Sequence, residues 1–183
     1  MRRLFSLTAL LAAFCLASVA STARAAAPID HFRDTIDETY PDTQCGIDGT
    51  SHFVGIDNIQ VWDDKFKVET HDTQLFTSAA TGKSVLLFYS FNDVQAGPVD
   101  NGDGTVTFTT SFKGLMEKLK LPNGAILSRD AGLVTFNGIY DPTTGDLLSE
   151  TISAEKGPHP ELDSGGDFGG GTVFCDAIVP ALS

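Results

Sequence analysis

Thr105-Val106-Thr107-Phe108-Thr109-Thr110-Ser111-Phe112 places Val106, Phe108 and Phe112 on one side of an extended chain and Thr105, Thr107, Thr109 and Ser111 on the other. A period of two with apolar and hydroxyl sides is the mark of a half-buried antiparallel strand. Lys65-Phe66-Lys67-Val68-Glu69-Thr70 repeats the pattern with its charges outward, and Asp63-Asp64 is turn chemistry joining it to a strand that ends at Val61-Trp62. Residues 85–91 are apolar on both alternations except at Ser90, as in a strand covered on both faces. Residues 133–140 and 147–155 flank the turn Asp141-Pro142-Thr143-Thr144-Gly145, and residues 115–121 lead through Pro122-Asn123-Gly124 into the next run. Asn-Gly is the strongest short hairpin signal. The expectation is an all-β fold, a small antiparallel up-and-down barrel of about seven to eight strands, with a β-sandwich as the alternative. Closure favours the barrel because it removes exposed strand edges. Short terminal helices complete the picture: Ile29, Phe32, Ile36 and Tyr40 recur at near-helical spacing before Pro41, predicting a short helix or an ordered arm, and residues 173–182 predict a terminal helix.

The first 25 residues read as a removable export signal. Met1-Arg2-Arg3 supplies positive charge, residues 4–19 supply an apolar run, and Ala23-Arg24-Ala25 supplies a small-x-small cleavage site. Cleavage after Ala25 is expected, with Ala20 and Ala27 as alternatives. Phe14 before Cys15 does not suit lipidation, whereas Arg2-Arg3-Leu4-Phe5 partly resembles a twin-arginine signal, so both export routes stay open. The run is shorter than the ~20 residues of a membrane helix, and no later segment is apolar enough, so no membrane span is expected. Residues 26–183 then form a single β-rich domain, secreted or extracellular, with association to the cell surface left open.

Charge narrows the partners. The chain carries 12 Lys and Arg against 24 Asp and Glu, a net charge of −12. Loss of Arg2, Arg3 and Arg24 with the signal leaves 9 basic residues against the same 24 acids, about −15. Nucleic acid is repelled by such a surface, since phosphate binding depends on Lys and Arg displacing counterions. Of three cysteines, Cys15 leaves with the signal, and Cys45 and Cys175 remain to form one disulfide across nearly the whole domain. Neither is followed by the Cys-x-x-Cys spacing of a zinc site.

Motifs for chemistry are sparse. Asp100-Asn101-Gly102-Asp103-Gly104 places a glycine where a calcium loop needs a ligand and reads as a hairpin turn. No nucleophile elbow, zinc-protease motif or phosphate-binding loop occurs, and no metal or cofactor is expected. Three acids fall inside apolar alternations: Asp57 with Ile59 and Val61, Glu117 with Leu115, Leu119 and Leu121, and Glu150 with Leu148 and Ile152. If those sides face an interior, burial raises the carboxyl pKa as general acids require, with Arg129 available to pair with one of them; a bulge would instead turn each acid outward. His159, stiffened by Pro158 and Pro160, is a further ligand-binding candidate, a purely conformational role for the prolines being the alternative.

Gly102-Asp103-Gly104-Thr105, Leu127-Ser128-Arg129-Asp130-Ala131-Gly132, Gly157-Pro158-His159-Pro160 and Phe174-Cys175 resemble a group of exported actinobacterial proteins of no established activity. The resemblance covers roughly the last half of the chain and implies an extracellular β-rich protein, with no catalytic residue to carry over. Three functions are compatible with these readings. A binding module for a small, apolar ligand is expected first, from the thirteen Phe and the apolar strand faces. A structural or cell-surface interaction protein comes second. A barrel enzyme using interior carboxylates, such as a cyclase, isomerase or hydrolase, comes third. Oligomeric state is left open.

Overall fold

Residues Val106–Lys120 form one continuous strand, β5, so the alternating stretch that begins at Val106 and the following run 115–121 are a single element rather than two. The computed structural model describes residues 27–163 and 171–183; the expected export signal, residues 1–25, and the glycine-rich stretch 164–170 lie outside the described residues. Around β5 stand β1 (Asp30–Gln44), β2 (Ile47–Val61), β3 (Lys65–Ser78), β4 (Ser84–Asp100), β6 (Ile126–Tyr140) and β7 (Leu147–Lys156). Two helices follow, α1 (Pro160–Asp163) and α2 (Thr172–Leu182). All neighbours pair antiparallel in the order β1-β2-β3-β4-β5-β6-β7, an up-and-down meander in one sheet.

The expected antiparallel up-and-down order is present over seven strands, and the sheet ends on β1 and β7 without closing among the described residues. Two expectations are corrected. The described residues form one sheet, not the two of a sandwich. Residues 30–44 form the edge strand β1, not a helix or an arm. Pro41 is tolerated there because an edge strand can leave one side of its backbone unpaired. The terminal helix predicted over 173–182 is present as α2.

Register assigns each side chain to a face. Gly55↔Asp72, Asp72↔Tyr89 and Phe91↔Gly114 place Gly55, Asp72, Tyr89 and Phe91 on the same side as Phe76, Leu87, Leu119 and Phe136. α2 packs on one end of this inner face, burying Phe174, Ile178 and Leu182 against Phe76, Val85, Leu87 and Leu119. Spacings of four along α2 put those three residues on one stripe, and each contributes about 1.5–3 kcal/mol by burial. Cys175 on α2 is bonded to Cys45 in the β1–β2 turn, with Cα atoms 5.4 Å apart.

The sheet coils toward the inner face. Phe53 on β2 and Tyr89 on β4 have ring centroids 6.5 Å apart with β3 between them. Flat strands two places apart would lie about 10 Å from each other. Gln74 on β3 likewise reaches over β2 to donate to Asp42 on β1, at 3.2 Å.

Candidate functional site

Tyr89 lies on the inner face of this coiled sheet, packed against the border of the α2 core. Burial raises the pKa of its phenol, and the charges of Glu117, Tyr40, Asp72 and Asp42 raise it further, so groups from β1, β3 and β5 all act on one hydroxyl. The phenol therefore stays protonated at neutral pH and can donate a hydrogen bond. Beyond Tyr89, away from α2, an aromatic ladder crosses β4, β5 and β6: Phe91–Phe112 at 5.9 Å and Phe112–Phe136 at 6.1 Å, both edge to face. Phe108 and Tyr140 extend it at 5.4 Å. All of these rings are half-buried, leaving apolar surface that a ligand can reach.

Carboxylates lie among the rings. Asp72 stands opposite Gly55, and a Cβ on that glycine would sit 1.9 Å from Asp72 Oδ1, so only glycine lets the carboxylate lie back over β2 and accept from the Ile56 N–H at 3.2 Å. Burial, then the charge of Asp57, push the Asp72 carboxyl up to about 6 despite that hydrogen bond and the charge of His71. Burial also raises Asp93, which lies on the inner face opposite Phe112. Asp42 behaves in the opposite way: burial is outweighed by hydrogen bonds from Ser51, Gln44 and the Thr43 N–H, which hold its carboxyl low. A carboxyl near 6 beside protonated phenol is suited to holding a polar or charged group, and to exchanging a proton close to neutral pH.

A second cluster is closed to solvent. Glu117 on β5 faces Asp130 on β6, and both are buried, as is His159. His159 Nδ1 lies 2.8 Å from Asp130 Oδ1 and Nε2 lies 3.1 Å from the Lys156 carbonyl oxygen. A carbonyl only accepts, so Nε2 carries a hydrogen, and the protonated ring donates from Nδ1 to the carboxylate. Burial lowers the His159 pKa, but the Asp130 hydrogen bond, the Lys156 carbonyl and the neighbouring negative charges outweigh it, and the net shift is upward. The Ala131 N–H donates to the Pro158 carbonyl at 3.0 Å. Gly132 lets the chain after β7 approach this closely, since a Cβ there would meet the Lys156 carbonyl oxygen at 1.9 Å. The segments Arg129-Asp130-Ala131-Gly132 and Gly157-Pro158-His159-Pro160 thus meet in space as an anchor for the C-terminal segment.

The sequence candidates separate accordingly. Asp57 is on the inner face and accepts from Thr70 Oγ1 at 2.7 Å. Glu117 is inward and 2 % exposed, even though a bulge at Met116 turns Leu115 to the other face. Glu150 is on the inner side of edge strand β7 but exposed. Arg129 lies beside Lys118 on the outer face, away from all three acids. His159 is enclosed and is not presented to a ligand. Asp72, Asp93 and Tyr89 were missed, although Leu87, Tyr89, Phe91 and Asp93 alternate in sequence and so share a side. Among the described residues no group of three or more His, Cys, Asp or Glu is placed to hold a metal ion. Comparison with protein-family models, with curated proteins and with solved structures returned no match.

Proposed function

We propose that this protein is an exported binding module that holds a small ligand with an apolar body against the aromatic ladder of its inner face. The observation that carries the reading is the ladder itself: Phe91, Phe112 and Phe136 are stacked edge to face, half-buried, at a place where α2 does not cover the sheet. A hydrophobic core of this size is ordinarily sealed by a second layer. Here, among the described residues, the helix layer packs on the end next to the Cys45–Cys175 bond. In this reading the meander is the wall of a barrel whose seam lies between β1 and β7. Phe32 and Ile152, on the inner sides of those edge strands, are 48 % and 46 % exposed and line the way in. Export is supported by the signal-like amino terminus and by the disulfide, which persists in oxidising compartments.

The test is mass spectrometry of the protein recovered from its host's culture medium, under native and denaturing conditions. A mass that begins after Ala25, lacks two hydrogens, and carries a further small molecule only in the native spectrum is the expected result. A bare polypeptide that also fails to bind neutral aromatic probes would overturn the binding reading, and an intact amino terminus with free thiols would overturn export.

A further inference from the structure

The sheet separates its charges by face. Its strands hold eight Lys and Arg, one in β1, two in β3, three in β5 and one each in β6 and β7, and register places every one of them on the outer face. Of fifteen Asp and Glu in the strands, twelve are on the inner face, the exceptions being Asp37, Asp48 and Glu69. The outer lysines also use what aromatic surface lies there, with Lys118 and Lys120 Nζ 4.9 and 5.4 Å from the Phe88 ring centroid.

We propose that the inner face selects an organic cation, a ligand whose apolar body stacks on the aromatic ladder while a quaternary or protonated amine sits at Asp93, opposite Phe112, in the wider negative field to which Asp72 contributes. This rests on the inner face being a binding site and adds the ligand's charge. Three arguments support it. Aromatic faces attract cations through their quadrupole, and more strongly when the cation is partly desolvated. Carboxylates on several strands of one coiled sheet sum their potentials over its inner face, which concentrates cations there and repels anions. A compact ammonium also supplies a charge that the sheet does not, because among the described residues no strand contributes an inner-face Lys or Arg to neutralise Asp72 or Asp93.

The experiment compares three probes of nearly one shape by NMR titration of the isotopically labelled, oxidised protein: phenyltrimethylammonium, its neutral isostere tert-butylbenzene, and benzenesulfonate. The cation is expected to bind about tenfold more tightly than the isostere at low salt, with the gap narrowing as salt rises. Shifts should fall on residues of β3 to β6 that face inward. Asp72→Asn and Asp93→Asn should each weaken the cation several-fold and leave the neutral probe unchanged, whereas Lys118→Gln should change neither. Equal affinity for cation and isostere would overturn the charge preference while leaving the binding module in place. Preferential binding of the sulfonate, or shifts confined to the outer face, would overturn the inference as well, and no binding of any probe would overturn both readings.

Discussion

Removing the Cys45–Cys175 bond should be the most damaging change that leaves every buried apolar contact in place. The two residues are 130 apart in sequence, and the chain-entropy model credits a loop of that length with about 5 kcal/mol. The double variant Cys45→Ala/Cys175→Ala should therefore lose up to ~5 kcal/mol of unfolding free energy, an upper value because residual structure in the unfolded chain reduces it. At roughly 2–4 °C per kcal/mol for a domain of this size, the midpoint falls by about 10–20 °C. A second effect separates the cross-link from the turn that carries it. Cys45 has φ of 51° and Gly46 has φ of 78°, a two-residue hairpin connection with both centres left-handed. Asn-Gly is the pair such a turn prefers, and a non-glycine residue in that region costs about 1 kcal/mol. Cys45→Asn/Cys175→Ala should accordingly recover about 1 kcal/mol relative to the alanine pair. Urea unfolding followed by circular dichroism, with the reduced parent as control, gives all three values. A loss below ~1 kcal/mol in the alanine pair would refute the reasoning, because α2 would then be held by Phe174, Ile178 and Leu182 alone.

Replacing His159 by Gln should lower stability by about 3 kcal/mol at pH 6, since it breaks a buried ion pair. Because the folded pKa of His159 lies above the unfolded 6.5, the charge-dependent part of its contribution is complete below that value and is lost as pH rises through the folded pKa; unfolding free energies from pH 5 to 9 should draw closer for parent and variant toward the alkaline end. Asp72 titrates near 6 in the folded chain against 3.8 unfolded, so its penalty is present above pH 6 and is relieved as pH falls from 6 to 3.8. Asp72→Asn should therefore be more stable than the parent by roughly 1 kcal/mol at pH 7.5, after allowance for solvent screening, and equal to it below pH 4; a destabilised variant at pH 7.5 contradicts this. Gly55→Ala should cost about 1–3 kcal/mol by driving a methyl into Asp72, and a double variant with Asp72→Ala should cost less than the single change when both are measured by thermal melting.

Much of the sheet was legible because alternation reports the strand directly, as in β5, and the hairpin turns carry their own signals. β1 was not, for a reason built into its spacing. Phe32, Ile36 and Tyr40 recur every four residues, which brings side chains to one face of a helix and equally to one face of a strand. The intervening inward positions are Asp34 and Glu38, so the apolar alternation that would have decided for a strand is absent. Run 115–121 looked separate because the bulge at Met116 interrupts the period, with Leu115 on one face and Leu119 on the other. In the candidate site, the side of Asp57 follows from alternation with Ile59 and Val61, whereas Glu117 shares the inner side of Leu119 only because the bulge at Met116 resets the period set by Phe108 and Phe112. The outward side of Arg129 follows only from its pairing with Lys118, and the enclosure of His159 only from its meeting with Asp130, both of which are tertiary facts. Asp72 escaped notice because the glycine that accommodates it, Gly55, is on the neighbouring strand.

An acidic composition reads most simply as solubility, which would place the acids on the solvent face. The register instead puts most strand acids on the inner side, where those on the edge strands stay exposed while those further in carry a stability penalty: burial and mutual repulsion raise Asp72, and burial raises Asp93. Local arrangements that work against stability are expected where function requires them. The same carboxylates should then act with opposite sign on the empty and the loaded protein. Asp72→Asn should raise the melting temperature of the free protein at pH 7.5, yet reduce the further rise produced by saturating phenyltrimethylammonium, because the charge that strains the empty inner face is the one that the cation relieves. A ligand that stabilises parent and variant equally would break this link between the penalty and binding.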